Sequence, residues 1–134
     1  MDGGEKTTIP VLLYRYKGPR RNIGFTLSPL YLNEASPPIE TEHMLFIYNE
    51  DFEYIRPALD RVFPLADPYT GEMMLMLDPC WDNPIPKNVW PGVLAELEEL
   101  AADEPELGPF LEAFITWSKK QLEHSDGIEV MGNL

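Results

Sequence analysis

The stretch DPCWDNPIPKNVWP, residues 78–91, decides how the two halves of this 134-residue chain are joined. It holds the only cysteine, two of the three tryptophans and four prolines. Each proline fixes its own φ angle, and aspartate or asparagine beside proline bonds its own backbone in turns. The stretch therefore predicts a rigid crossover from a strand to a helix, with Trp81 and Trp90 packed over the turn.

The segments before the crossover are mostly apolar and favour strands. The predicted strands cover residues 9–17, 23–32, 43–48 and 72–77. Gly18-Pro19 starts the turn of a hairpin between the first two, and Pro29 indicates an edge or a bulge. Met73, Met74 and Met76 are predicted to lie in the core.

One helix is predicted between the third and fourth strands, over about residues 50–62. Asn49 is placed to cap it, and Pro57 either kinks the helix or begins a second one. The sequence Pro68-Tyr69-Thr70-Gly71 that follows is typical of a turn.

Two helices and a short strand are predicted after the crossover. Asn88 is the expected cap of the first helix, over 89–102, and the second covers 107–124. Gly127 suits the end of that helix, and residues 128–131 alternate as a last strand. The fold class is thus α+β: a mostly antiparallel sheet of about five strands with one central helix and two C-terminal helices. We expect a single domain over 1–134, with residues 1–8 flexible and 33–42 a loop.

The charge of the chain is unevenly distributed. There are 23 acidic and 10 basic residues, and the formal net charge is −13. Residues 1–61 carry 7 basic and 9 acidic side chains, whereas residues 62–134 carry 3 basic and 14 acidic ones. Acidic surfaces keep small proteins in solution, but they also repel nucleic acid and anionic membranes and attract cationic partners.

A dense run of carboxylates lies between residues 96 and 106. Its members are Glu96, Glu98, Glu99, Asp103, Glu104 and Glu106. The run is either a solvated helix face or a docking surface for a basic protein. In the docking interpretation, an exposed tryptophan, Trp81 or Trp90, is the expected anchor.

Residues suited to catalysis or to metal binding are scattered along the chain. The carboxylates of Asp78 and Asp82 flank Cys80 and disfavour its thiolate, and His43 and His124 are distant in sequence. We therefore expect Cys80 to be a small buried side chain, and we expect no metal site and no cofactor. A small enzyme that uses Asp78, Cys80 or Asp82 remains an alternative.

A second possible site is basic. Lys17, Arg20 and Arg21 cluster at the predicted hairpin turn and could hold a phosphate, although a solvated turn explains them equally well. The acidity of the remainder disfavours general nucleic-acid binding.

The apolar runs are too short to cross a membrane, and MDGGEKTT lacks the apolar core of an export signal. With a single cysteine, these features favour a cytoplasmic protein that does not bind membranes. The oligomeric state is left open by the sequence.

The second half of the chain resembles bacterial immunity proteins, the small cytoplasmic partners of contact-dependent or polymorphic secreted toxins. The resemblance covers residues 78–134. It lies in DPCWDNPIPKNVW followed by two helices, and in the closing FLEAFITWSKKQLEHSDGIEVMGNL. It implies a non-enzymatic protein that binds and neutralises one cognate toxin, which would be basic if it is a nuclease. An adaptor subunit of a larger complex is the other non-enzymatic alternative.

Overall fold

The computed structural model describes residues 9–33 and 38–134, and these form the α+β fold that the sequence predicts. In chain order the elements are β1 (Gly24–Leu30), β2 (Leu45–Tyr48), α1 (Asn49–Phe52), α2 (Arg56–Asp60), β3 (Leu65–Ala66), β4 (Met73–Met74), β5 (Asp82–Pro86), α3 (Trp90–Asp103), α4 (Gly108–Leu122) and β6 (Gly127–Asn133). Short 3₁₀ helices cover Thr41–His43, Lys87–Val89 and Pro105–Leu107. The two long C-terminal helices are confirmed within two residues at each end. Residues 1–8, and residues 34–37 of the predicted 33–42 loop, lie outside the described residues.

Four antiparallel strands make the main sheet, in the order β2-β1-β6-β5. Leu27 lies opposite Leu45 on one side and Val130 on the other. The closing strand, predicted as a short one over 128–131, therefore extends over seven residues and lies in the interior of the sheet. Pro29 lies beyond the end of β2, where β1 pairs with β6 alone.

One face of this sheet and the helices form a single hydrophobic core. Side chains alternate along a strand, so Phe25, Leu27, Ile85, Ile128 and Val130 all point to the same face. They share the core with apolar residues that recur every three or four positions in α3 and α4. These are Val93, Leu94, Leu97, Leu111, Phe114 and Ile115. The period of the sequence thus explains which face of each helix is buried.

The crossover predicted at residues 78–91 contains a strand of the sheet, which corrects the sequence interpretation. Residues 82–86 form the edge strand β5, paired with β6. The Lys87 N–H donates to the Asp126 carbonyl, and the Trp81 carbonyl accepts from Gly132. Odd-numbered residues therefore direct their backbone groups toward β6. Pro84 and Pro86 occupy the alternate positions at the free edge, where a missing N–H breaks no ladder bond.

The predicted hairpin between residues 9–17 and 23–32 is wrong. Only Val11 forms a bridge, and it is parallel to Phe46 of β2. Beyond it, the N–H groups of Tyr14, Arg15 and Tyr16 all donate to the buried carboxylate of Asp51, at 2.8 to 3.3 Å. Because these donors bond a side chain on α1, they cannot continue a ladder, and the pairing with β2 ends at Leu12.

The region predicted as one central helix forms two short helices. Pro57 lies in the first turn of the second, which confirms the predicted alternative that this proline begins a second helix. The expected caps are wrong: Asn49 is the first residue of α1, and Asn88 lies inside a 3₁₀ turn. Neither helix has a side-chain cap bond.

The strand predicted over 72–77 is shorter than expected. Only Met73 and Met74 pair, and they pair with β3 in a separate two-stranded hairpin. The predicted turn at 68–71 is confirmed; its Gly71 has a φ of 80°. Met73 and Met76 are mostly exposed, so their predicted core position is wrong.

Candidate functional site

The loop before β5 is held by the side chain of Asn83, which is buried in the sheet edge. Its Oδ1 accepts from the Asp78 N–H at 2.7 Å. Its Nδ2 donates to the carbonyls of Asp78 at 2.9 Å, Trp81 at 3.2 Å and Val130 at 2.9 Å. The Nδ2 group has two N–H bonds but three carbonyl acceptors, so one N–H is shared between two carbonyls. This one amide therefore fixes the loop to β6.

The end of β6 binds the same loop from its other side. The Leu134 N–H donates to the Pro79 carbonyl at 3.3 Å, and the Asp78 carboxylate accepts from the Cys80 N–H at 2.9 Å. Gly132 lies so close that a Cβ there would be 2.2 Å from the Pro79 oxygen. The loop consequently has a fixed shape although most of its side chains are exposed.

An exposed groove of about 510 Å³ lies beside this loop. Its most exposed apolar side chains are Leu75, Met76 and Trp81, with 76, 66 and 71% of their surface exposed. Three carboxylates, those of Asp67, Asp78 and Asp82, line the same groove, and no lysine or arginine does so among the described residues. We call this surface the Trp81 groove. It combines apolar area with uncompensated negative charge.

Negative charge also accumulates beneath the β3–β4 hairpin. Burial raises the pKa of Glu129 on β6, and the carboxylates of Asp82 and Asp67 raise it further. Burial likewise raises the pKa of Tyr69, with Glu129, Asp67 and Asp126 adding to the effect. The carboxylates of Glu129, Asp82 and Asp67 are close enough to repel one another, and a cation bound beside Asp67 and Asp82 at the Trp81 groove would relieve that repulsion.

The acidic run at 96–106 is partly neutralised, which the sequence could not show. Glu96 pairs with Arg61, Glu98 with Lys119 at 3.2 Å, and Glu106 with Arg15 at 3.4 Å. The hydrogen bond from Arg61 lowers the pKa of Glu96. Glu99, Asp103 and Glu104 are exposed and make no ion pair with residues 9–33 or 38–134. Three of the six carboxylates in the run therefore carry a negative charge that no cationic side chain of the described residues compensates.

The two candidate tryptophans differ in their exposure to solvent. Trp81 is exposed, as an anchor must be, but Trp90 is fully buried, and its Nε1–H donates to the Ile85 carbonyl at 3.0 Å. Trp90 is therefore part of the core and is not available as a surface anchor. Its position at the start of α3 joins that helix to β5.

Cys80 is exposed, not buried as expected, and its thiol lies 3.5 Å from the Leu134 carbonyl. The two histidines are distant in sequence but adjacent in the fold, with ring centroids 6.4 Å apart. The Tyr31 hydroxyl lies 2.7 Å from Nδ1 of His124. All three rings line a different groove from Asp78 and Asp82, so neither histidine lies beside those two carboxylates.

Comparisons with protein-family models, curated proteins and solved structures give no match to this chain. Within the described part of the chain, no three His, Cys, Asp or Glu side chains are arranged to hold a metal ion. No helix in that part has both the length and the apolar character to cross a membrane.

We predict that Asn83→Ala destabilises the fold by about 2–4 kcal/mol, because it leaves several buried backbone groups without partners. Chemical denaturation monitored by far-UV circular dichroism measures this loss. Asn88→Ala, an exposed asparagine five residues away, is the matched control and should change the free energy of unfolding by less than about 0.5 kcal/mol. Equal effects of the two substitutions would show that the Asn83 network does not hold the loop.

From the raised pKa of Glu129 we predict how the stability of the fold depends on pH. Folded chains bind more protons than unfolded ones between the ordinary value of 4.5 and the raised pKa. The free energy of unfolding therefore falls as pH rises through that window. Glu129→Gln removes this loss, so the variant should be more stable than the parent at pH 7 and nearly equal to it at pH 4. Denaturation at both pH values tests this.

The control is Glu112→Gln, which removes one negative charge from an exposed position on α4. It measures the general effect of lower net charge. If both variants gained the same stability at pH 7, crowding around Glu129 would not be the cause.

Proposed function

We propose that this protein is a toxin-neutralising immunity protein, and that it binds a basic domain of its cognate toxin through the Trp81 groove. The observation that carries the proposal is the pairing of a 71% exposed tryptophan with the three carboxylates that line the same groove. Such a surface suits a partner that presents arginine or lysine beside apolar side chains.

The chemistry of the groove favours arginine in particular. A guanidinium can stack on the Trp81 ring while its N–H groups reach the carboxylates of Asp78 and Asp82. The neighbouring Leu75 and Met76 can cover the aliphatic part of the same side chain. Each of these contacts excludes water from the others, as happens at the energetic centre of tight interfaces.

The loop is suited to binding because its backbone is already fixed in the free protein. Asn83 and the end of β6 hold the backbone around Trp81 before any partner arrives. Little conformational freedom then remains to be lost on association, so more of the contact energy appears as affinity.

The uncompensated carboxylates of the acidic run play a different part in this proposal. Glu99, Asp103 and Glu104 attract a basic toxin over a distance and accelerate its encounter with the groove. A cytoplasmic location fits this role, since the toxin must be met where it acts. No catalytic residue and no cofactor is needed for neutralisation by binding.

The test is co-expression with the product of the neighbouring gene, followed by co-purification and calorimetry on the complex. Trp81→Ala should weaken binding by about 30-fold or more, because it removes the central anchor. Leu13→Ala is the control: Leu13 is a similarly exposed apolar side chain outside the groove, and its removal should change the affinity by less than about threefold. A partner that is not a toxin would indicate an adaptor; an unchanged affinity of Trp81→Ala would remove the groove from the interface.

Two charge reversals separate the groove from the acidic run. Asp82→Lys and Glu99→Lys each replace one exposed carboxylate with an ammonium group, so both variants change the net charge by the same amount. Asp82→Lys should raise the dissociation rate and weaken binding by about tenfold or more, at low and at high salt. Glu99→Lys should only slow association, and high salt should abolish its effect. Stopped-flow association at 0.05 and 0.5 M salt makes the comparison. The reverse pattern would place the interface on α3.

A further inference from the structure

A second groove, of about 640 Å³, lies on the other face of the sheet, at β1 and β2. Its lining includes Thr26, Phe46 and Tyr48, which alternate with the core residues Leu27 and Ile47. Arg20 and Arg21 also line it, and among the described residues no aspartate or glutamate does so. The described part of the lining thus consists of cationic, hydroxyl, amide and apolar groups, in a chain whose formal net charge is −13.

Arg21 is held in a fixed position. Its guanidinium pairs with Glu50 and lies over the Tyr16 ring, 4.8 Å from the ring centroid. Tyr16 in turn stacks on Tyr48 at 4.1 Å, and its hydroxyl donates to the Pro19 carbonyl at 2.6 Å. The turn that carries both arginines is therefore attached to the floor of the groove.

Arg20 differs from its neighbour because it makes no ion pair within residues 9–33 and 38–134. It is exposed at the rim of the groove, with its charge uncompensated there. A fixed arginine beside one that is available is an arrangement that suits an anion with several oxygens.

The floor of the groove adds apolar area to this charge. The rings of Phe46 and Tyr48 meet edge to face, with centroids 5.1 Å apart, and Val11 lies beside them. Tyr48 is buried and already stacked by Tyr16, so the half-buried ring of Phe46 is the one that can bind a planar group by stacking. The hydroxyls of Thr26 and Thr41 are available as donors to phosphate oxygens.

We propose that this groove binds a small organic phosphate that carries a planar ring, with Arg20 as the principal contact of the phosphate. The volume lies within the range of about 300–1,000 Å³ that small-molecule sites occupy. The acidic remainder of the chain opposes anions over long distances, but salt screens it beyond about 8 Å at physiological ionic strength. Recognition therefore depends on these local groups. The site is independent of the Trp81 groove and goes beyond the proposed function.

The experiment titrates the full chain with adenosine 5′-monophosphate, adenosine and inorganic phosphate, and follows binding by calorimetry and by NMR shifts of the Arg20 and Thr26 amides. The monophosphate should bind with the highest affinity. Arg20→Gln should weaken it by about tenfold or more, because a charge-assisted hydrogen bond is lost. Lys120→Gln, which removes the same charge from α4, should change it by less than about twofold.

Each other outcome overturns a defined part of the proposal. Adenosine binding as tightly as the monophosphate would exclude phosphate recognition. Inorganic phosphate binding as tightly would exclude a role for the ring. An absence of saturable binding by all three probes, or an unchanged affinity in Arg20→Gln, would remove the site altogether.

Discussion

One side-chain amide, that of Asn83, makes the bonds on which the edge of the sheet and the exposed loop both depend. It bonds the backbone at Asp78, at Trp81 and at Val130 of the neighbouring strand. Buried amides in complete networks are stabilising, whereas a partly satisfied one is costly, so the arrangement is strongly specified. The loop cannot rearrange to bury Trp81 without breaking these bonds. The backbone that carries the exposed Trp81 side chain is thus fixed by a polar side chain buried in the sheet edge.

That constraint explains how the chain tolerates an exposed apolar surface. Leu75, Met76 and Trp81 would be a liability for self-association in a neutral protein. Here carboxylates border them, and two copies that met through this groove would bring Asp67, Asp82 and their counterparts together without a cation. Repulsion between like charges disfavours this contact while it leaves the groove open to a basic surface. The negative charge at the groove therefore affects which surfaces can bind there more than it affects the stability of the fold.

The parts of the fold that were predictable are those with a local signal. Helices α3 and α4 follow from the spacing of their apolar residues, and β2 follows from its apolar run. Strand β5 was missed because Pro84 and Pro86 argue against a strand, and only its position at the edge removes their cost. Trp81 and Trp90 both lie in the proline-containing stretch 78–91, and the sequence alone did not show which of them is buried. The pairing of Glu96 with Arg61 joins residues 35 positions apart, and no local pattern indicates it.

The separation of charge across the sheet has a consequence for how a basic partner would approach. The acidic, apolar groove adjoins β5 at one edge of the sheet, and the arginines line a groove at β1 and β2 toward the other edge. A molecule with opposite charges at its two ends turns in the field of an approaching cation before contact. The carboxylates of the Trp81 groove would attract the proposed basic partner, whereas Arg20 would repel it; the charge of Arg21 is compensated by Glu50. For the proposed basic partner, this difference in local charge favours an approach to the β5 edge of the sheet.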